Sequence, residues 1–305
     1  MNSFIKISAP AKINLCLDIL ERDPSDYHKI QTVFQEIPEI SDEIEIITTD
    51  KSDKLSIKYS PSLTTDLRLS KSLKSPKVSP PRPPSEGGIT FSPLSVQPNE
   101  NHLCTQNLAY QALLLLKKTY KITNKFAHLN ITKNIPISSG LGGASSDAAA
   151  VLKGLNRLWN LKISQKELLK LAAELGKDVP FFIIGGTALG ENYGEKITPL
   201  KPIIGDGGPR VIFQISPKSS SDPEKTKNAY AKLDLTKCAK NLSKTEKLLK
   251  AIEQENYPEL IANLHNDFEQ LYSLEKNHHL TGSGPSRFRC SLGYSTAMFH
   301  KGPLS

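Results

Sequence analysis

Residues 136–150 read PISSGLGGASSDAAA, and this short segment restricts the fold more than any other part of the 305-residue chain. Gly140, Gly142 and Gly143 stand directly before Ser145, Ser146 and a run of alanines. Glycine lets backbone N–H groups approach a ligand with no Cβ in the way. Ser145 or Ser146 can cap a helix, and alanine favours its continuation. A helix start carries unpaired N–H groups and a partial positive charge. Strand, glycine loop and helix in that order make a phosphate cradle. No Gly-Lys-Ser/Thr follows, and the glycine spacing is not the dinucleotide one, so two familiar cradles are excluded. A flexible Gly/Ser turn is the plainer alternative.

The flanks supply the required order. Leu129, Ile131 and Ile135 alternate as a strand entering the loop. Ala148, Val151, Leu152, Leu155 and Trp159 then line one face of a helix. Upstream, Ile13, Leu15, Leu17 and Ile19, then Ile44 and Ile46, then Leu55, Ile57 and Tyr59 predict successive strands. Leu108, Ala112, Leu115 and Leu116 predict a helix up to Tyr120. Ser164 and Glu167 form a capping-box pattern ahead of Leu168, Leu171, Ala172 and Leu175, with Gly176 as the stop. The apolar run Phe181–Ile184 reads as a buried strand, and Val211–Ile215 as another. The remainder reads as helical: Ser243/Glu246 repeats the capping-box spacing, and Pro258 opens a helix carrying Ile261, Leu264, Phe268 and Leu271. After Phe288 no clear final strand or helix follows.

Between these patterns, residues 61–98 hold Pro76, Pro80, Pro81, Pro83, Pro84, Pro93 and Pro98 among serines and lysines. Such a stretch buries too little apolar surface to offset its ordering entropy, which predicts a disordered insertion. The net charge of +8 suits an anionic small substrate and also nucleic acid, but the lysines are scattered and form no basic block. Cys16, Cys104, Cys238 and Cys290 have neither metal-ligand nor disulfide-framework spacing. No apolar run approaches a membrane span and the N-terminus lacks a signal-peptide core, so a cytoplasmic protein is expected.

Four places could carry chemistry. Asp178 follows a helix stop and precedes Pro180, the kind of loop position where acid/base groups sit, although aspartate before proline also simply makes turns. Lys12 lies inside an apolar strand, which buries its stem and directs its ammonium; an outward-facing surface lysine is the alternative. Tyr27 and His28 could stack on and hydrogen-bond a planar base, or pack in a core. Leu280-Thr281-Gly282-Ser283-Gly284 is a second glycine turn able to close over a phosphate, or only a turn.

Taken together these segments resemble the GHMP kinase superfamily, and within it the diphosphocytidyl-methylerythritol kinase branch. SAPAKINLCLDILERDPSDYHKIQTVFQEI is similar to that branch's first motif, PISSGLGGASSDAA to the ATP-binding motif, ELGKDVPFFIIGGTALGENYGEKI to the segment with the catalytic aspartate, and TGSGPSRF to the third motif. The resemblance implies an α+β, two-domain GHMP kinase fold. Its parts would be a ribosomal S5 domain 2-like N-terminal ATP-binding domain (1–165) and a ferredoxin-like α+β C-terminal substrate-side domain (166–305). It implies phosphoryl transfer from ATP to the 2-hydroxyl of 4-diphosphocytidyl-2-C-methyl-D-erythritol, in non-mevalonate isoprenoid synthesis. By the same resemblance Asp178 takes the hydroxyl proton and Lys12 sits beside it. Pro136, Gly140, Leu141, Gly142, Gly143, Ala144, Ser145 and Ser146 hold ATP, with Ser146 near Mg2+. Asn14, Tyr27, His28, Gly282, Ser283 and Gly284 face the cytidyl diphosphate substrate. A monomer or weak homodimer without nucleic acid or membrane is expected. Another GHMP substrate (homoserine, mevalonate or a sugar) and a non-catalytic RNA-binding role are the alternatives.

The sequence departs from the pattern at several places. Ala144 replaces a usual glycine, Tyr193 a usual arginine, and Pro285 removes an N–H after the last glycine turn.

Overall fold

The structure, a computed structural model, describes residues 3–22, 27–61, 63, 107–203, 209–222 and 224–294. The expected disordered insertion therefore lies, but for Pro61 and Leu63, outside the described residues. Strands β1 (Phe4–Arg22) and β2 (His28–Thr49) are long, and each contributes to both of two compact units.

One unit comprises Met1–Ala11, Ile37–Ile137 and Gly142–Ile183. In it the far half of β2 pairs antiparallel with β4 (Phe126–Lys133), with Ile44 opposite Ile131 and Ile46 opposite Leu129. Strand β3 (Lys54–Tyr59) pairs parallel with β4 on its other side. Helices α1 (Leu108–Thr119), α2 (Gly143–Leu158) and α3 (Gln165–Leu175) pack on one another. Helix α1 starts because the Asn107 side chain accepts from the N–H groups of Ala109 and Tyr110. The capping box of α3 is present in both directions between Ser164 and Glu167. Gly154 of α2 faces the sheet so closely that a Cβ there would fall 2.5 Å from Ile46 and 2.6 Å from Ile7.

The other unit comprises Lys12–Glu36, Ser138–Leu141 and Ile184–Ser305. The near half of β2 pairs antiparallel with β5 (Thr187–Glu191), which pairs with β6 (Lys196–Pro199). A second sheet runs β7 (Pro209–Ser216), β10 (Arg287–Tyr294), β9 (His279–Leu280). Strand β8 (His265–Asn266) lies parallel to β1. Leu17, Ile19, Ile30, Phe268 and Leu280 form an apolar cluster, joined by Ala229 of α5 (Lys225–Ala231) and by Cys238. The units interleave along the chain, and their borders do not coincide with a single division at 165/166.

Four local expectations are corrected. Phe181–Ile184 is not a strand but part of a short helix, α4 (Val179–Ile184). A short apolar run has no telling period, and Pro180 is acceptable in a helix's first turn. The cap of α6 (Leu242–Glu253) is Asn241, so Ser243 lies inside the helix. Helix α7 (Tyr257–Ala262) does not run on to Leu271. The Asn263 side chain turns back to the Glu259 carbonyl, and Asn266 caps a new 3₁₀ turn at Asp267–Leu271, local bonds that compete with helix continuation. Finally, the tail does hold a strand, β10, paired with β7 along its whole length. No helix among the described residues is long and apolar enough to cross a membrane.

Candidate active site

Strand β1 is buried on both faces from Ala11 to Ile19. Successive side chains of a strand point to opposite faces, so the odd positions fill an apolar core while Lys12, Asn14 and Asp18 are carried inward on the even ones. Lys12 is 3% exposed, which removes the surface-lysine alternative. Its Nζ donates to Asn14 Oδ1 at 2.7 Å and lies 5.4 Å from the Phe34 ring centre. Asn14 Oδ1 also accepts from the Gly282 N–H at 2.9 Å, and Asn14 Nδ2 donates to Thr32 Oγ1 at 2.8 Å. Lys12, Asn14 and the second glycine turn are thus brought together.

The first half of the glycine loop joins them. The Lys12 N–H donates to the Leu141 carbonyl at 2.9 Å, and Thr281 Oγ1 to the Gly140 carbonyl at 3.3 Å. Gly140 has φ +87°, and a Cβ there would fall 2.4 Å from the Thr281 carbonyl oxygen and 2.9 Å from that of Gly284. Only glycine fits. Ser283 and Gly284 are fastened by Tyr272, whose hydroxyl donates to the Ser283 carbonyl at 2.9 Å, and by Lys225, whose ammonium donates to the Gly284 carbonyl.

The second half of the loop belongs with α2. Its cap is Gly142, in the left-handed region at φ 76°, and neither Ser145 nor Ser146 caps. Both serines lie in the first turn, where the Ser146 N–H bonds the Gly142 carbonyl. Ala144 is the second helical residue, with no positive φ, so its Cβ costs nothing. Pro136 is buried ahead of the loop. Ser146 is 1% exposed, and its Oγ has no hydrogen-bond partner among the described residues.

Asp178 sits, half-buried, in the turn between Gly176 and α4, in the same unit as α2. Tyr27 is 61% exposed and meets Tyr193 edge-on at 6.0 Å. His28 stacks on Tyr230 at 5.0 Å, and Tyr230 in turn packs edge-on against Phe268. These two aromatic residues are therefore not bonded to the Lys12–Asn14 set by any of those contacts.

Residues 107–186 match the family profile of the GHMP kinases N terminal domain. The 4-diphosphocytidyl-2-C-methyl-D-erythritol kinase of Caldicellulosiruptor saccharolyticus is 34% identical, over 92% of this chain and 86% of its own. That of Caldicellulosiruptor bescii is 32% identical, over 93% and 88%. A crystal structure of 4-(cytidine 5'-diphospho)-2C-methyl-D-erythritol kinase superposes with a TM-score of 0.61 at 23% identity, covering 93% of this chain and 89% of that one. The chain belongs to the 4-diphosphocytidyl-2-C-methyl-D-erythritol kinase branch of the GHMP kinases.

Several residues around this GHMP kinase site give no motif signal of their own. Asn266 Nδ2 donates to the carbonyls of Leu280 (3.1 Å) and Gly282 (2.9 Å), holding the second glycine turn from behind. Next to it His265 Nε2 lies 3.0 Å from Asp18 Oδ1, and the Thr245 hydroxyl donates to Asp18 Oδ2. Burial alone would lower the His265 pKa; the Asp18 and Asn263 hydrogen bonds outweigh it and raise it. In the other unit Lys133 bridges Asp42 and Asp147, all nearly enclosed. Burial pushes the Asp147 carboxyl up to about 7, against the pull of Lys133 and with the push of Asp42. Burial would lower Lys133, but its two carboxylates prevail and raise it. A buried polar residue inside an apolar strand, such as Asn14 or Asp18, is the one sequence signal that could have marked this shell.

Proposed function

We propose that the chain transfers the γ-phosphoryl group of ATP to the 2-hydroxyl of 4-diphosphocytidyl-2-C-methyl-D-erythritol, a step of non-mevalonate isoprenoid synthesis. The observation that carries this reading is the buried Lys12, bonded to Asn14 and backed by both glycine turns, in a chain one-third identical over nearly its full length to kinases of that name. Phosphoryl transfer depends mainly on positioning and charge stabilisation, and this set offers both.

Asp178 takes the proton of the attacking hydroxyl, whose oxygen displaces ADP from the γ-phosphorus. Lys12 supplies positive charge, and its bond to Asn14 supports its orientation. The loop from Gly140 to Ser146 presents N–H groups to the phosphates. The residues fit Mg2+ in one respect: Ser146 Oγ is a buried oxygen with no hydrogen-bond partner among the described residues. Mg2+ usually keeps waters and phosphate oxygens and takes few protein ligands. Ser146 would hold it, and when bound it would neutralise charge developing on the phosphates. Tyr27 and His28 receive the cytosine end. The protein works in the cytoplasm as a monomer or weak homodimer on this small anion, without nucleic acid or membrane.

An ADP-release assay with Mg2+ and the cytidyl substrate tests the reading. Asp178→Asn is expected to lower kcat by roughly 10²–10⁴-fold while ATP affinity stays near the parent's. Parent-level turnover in that variant removes Asp178 from the chemistry. Turnover of homoserine or mevalonate in place of the cytidyl compound removes the substrate.

A further inference from the structure

The phosphate loop leaves β4 at Lys133 and enters α2 at Gly143, and one buried ammonium, that of Lys133, links a carboxylate at the strand end to one in α2. Asp42, on β2 and fully enclosed, accepts at Oδ1 from the N–H groups of Asn134 (2.5 Å) and Ile135 (2.8 Å), the first residues past β4. Its Oδ2 takes the Lys133 ammonium. The same ammonium donates to Asp147 Oδ2 at 2.6 Å, in the first turns of α2. The fit at the helix start is close, since a Cβ on Gly143 would fall 3.0 Å from Ile135 and 3.4 Å from Asp42 Oδ2. The register adds a third strand: Tyr59 of β3 lies opposite Lys133, and the Ser60 N–H bonds the Lys133 carbonyl at 3.0 Å.

Two carboxyl groups on one buried ammonium are an expensive way to hold a fold together. A buried pair is rarely a net source of stability, and the second carboxyl is desolvated and crowded by the first. Position is the gain. Without Asp147 the exit from β4 would still be tied to Asp42, but nothing charged would tie α2 to it. We propose that Asp42, Lys133 and Asp147 form a clasp that fixes the strand end and the helix end of the phosphate loop relative to each other, with Asp147 the positioning residue for bound ATP. This rests on the assignment of the loop to ATP made above.

The discriminating variant is Asp147→Ala. It leaves Lys133 and Asp42 as a balanced pair and places a good helix former in α2, so the fold is retained, as a thermal melt checks. Misplacing a bound group by about an ångström can cost up to roughly 100-fold, and KM for ATP is expected to rise about 10-fold or more on that scale. KM for the cytidyl substrate should stay at the parent value. Asp147→Asn keeps an oxygen for Lys133 and should restore most of the ATP affinity. Titration calorimetry with a non-hydrolysable ATP analogue gives the same ranking without turnover. If Asp147→Ala binds nucleotide as the parent does, or if both KM values rise together, the clasp is not a positioning device. If the parent itself binds no nucleotide, the assignment of the loop to ATP fails instead.

Discussion

The two glycine turns of this kinase are held by opposite kinds of chemistry. The helix end of the first glycine loop rests on charge: one ammonium between two carboxyl groups, with two backbone N–H groups on the inner one. The turn at 280–284 rests mostly on neutral amides and hydroxyls, with the Lys225 ammonium on the Gly284 carbonyl and the Glu269 carboxylate on the Leu280 N–H at its edges. Asn14 accepts the Gly282 N–H, Asn266 donates to the Gly282 and Leu280 carbonyls, and Tyr272 donates to the Ser283 carbonyl. A neutral network is individually modest, each bond contributing about 0.5–1.5 kcal/mol net, but it leaves no surplus charge. A charged clasp is more costly to break, because whatever is removed strands its partner. The second turn must also fit its backbone beside Gly140, where there is no room for a Cβ.

The contrast breaks most visibly at Lys133. Lys133→Met strands two buried carboxylates, and by analogy with other broken buried pairs it should cost about 3–5 kcal/mol. Denaturant unfolding measures this, and a loss no larger than that of a surface lysine would show the clasp to be relaxed. A smaller loss is expected at the neutral turn. Asn266→Ala removes the donor from two carbonyls, for a cost of about 1–3 kcal/mol, and should raise KM for the cytidyl substrate. Unfolding in the two variants then differs in size, and equal losses would erase the distinction drawn above.

The smallest effect is in pH dependence. The folded His265 has a raised pKa, through its bonds to Asp18 and the Asn263 carbonyl, with Thr245 and Asp267 also close. A raised base binds its proton more tightly when folded. Its contribution is therefore complete below the unfolded value, near 6.5, and is lost as pH rises through the folded one. Stability followed against pH should decline over that window in the parent, and the decline should flatten in His265→Gln. An unchanged slope would mean that His265 is neutral throughout.

Much of this molecule is legible before folding. Strand β4, the glycine loop and α2 follow from period and composition, because a 2-residue alternation, three close glycines and a 3.6-residue stripe are all local properties. The capping box of α3 is equally local, since Ser164 and Glu167 meet within one turn. Short apolar runs are not: Phe181–Ile184 has no length in which a period can show, and it became a helix. Asn263 and Asn266 end the expected helix through local bonds, whereas the bonds of Asn266 to Leu280 and Gly282, 14 and 16 residues away, are invisible in any window.

Residue types and spacing marked Lys12, the glycines and Asp178 as candidates, because chemistry-bearing motifs are written in adjacent letters. Whether Lys12 is a surface cation or a buried one was settled by the burial of β1 on both faces, which no stretch of sequence contains. The supporting shell likewise came from folding: Asp42 and Lys133 are 91 positions apart, and Asp18 and His265 are 247. Each pair exists because folding desolvates both members, and a buried polar group must find a partner among what the fold brings beside it.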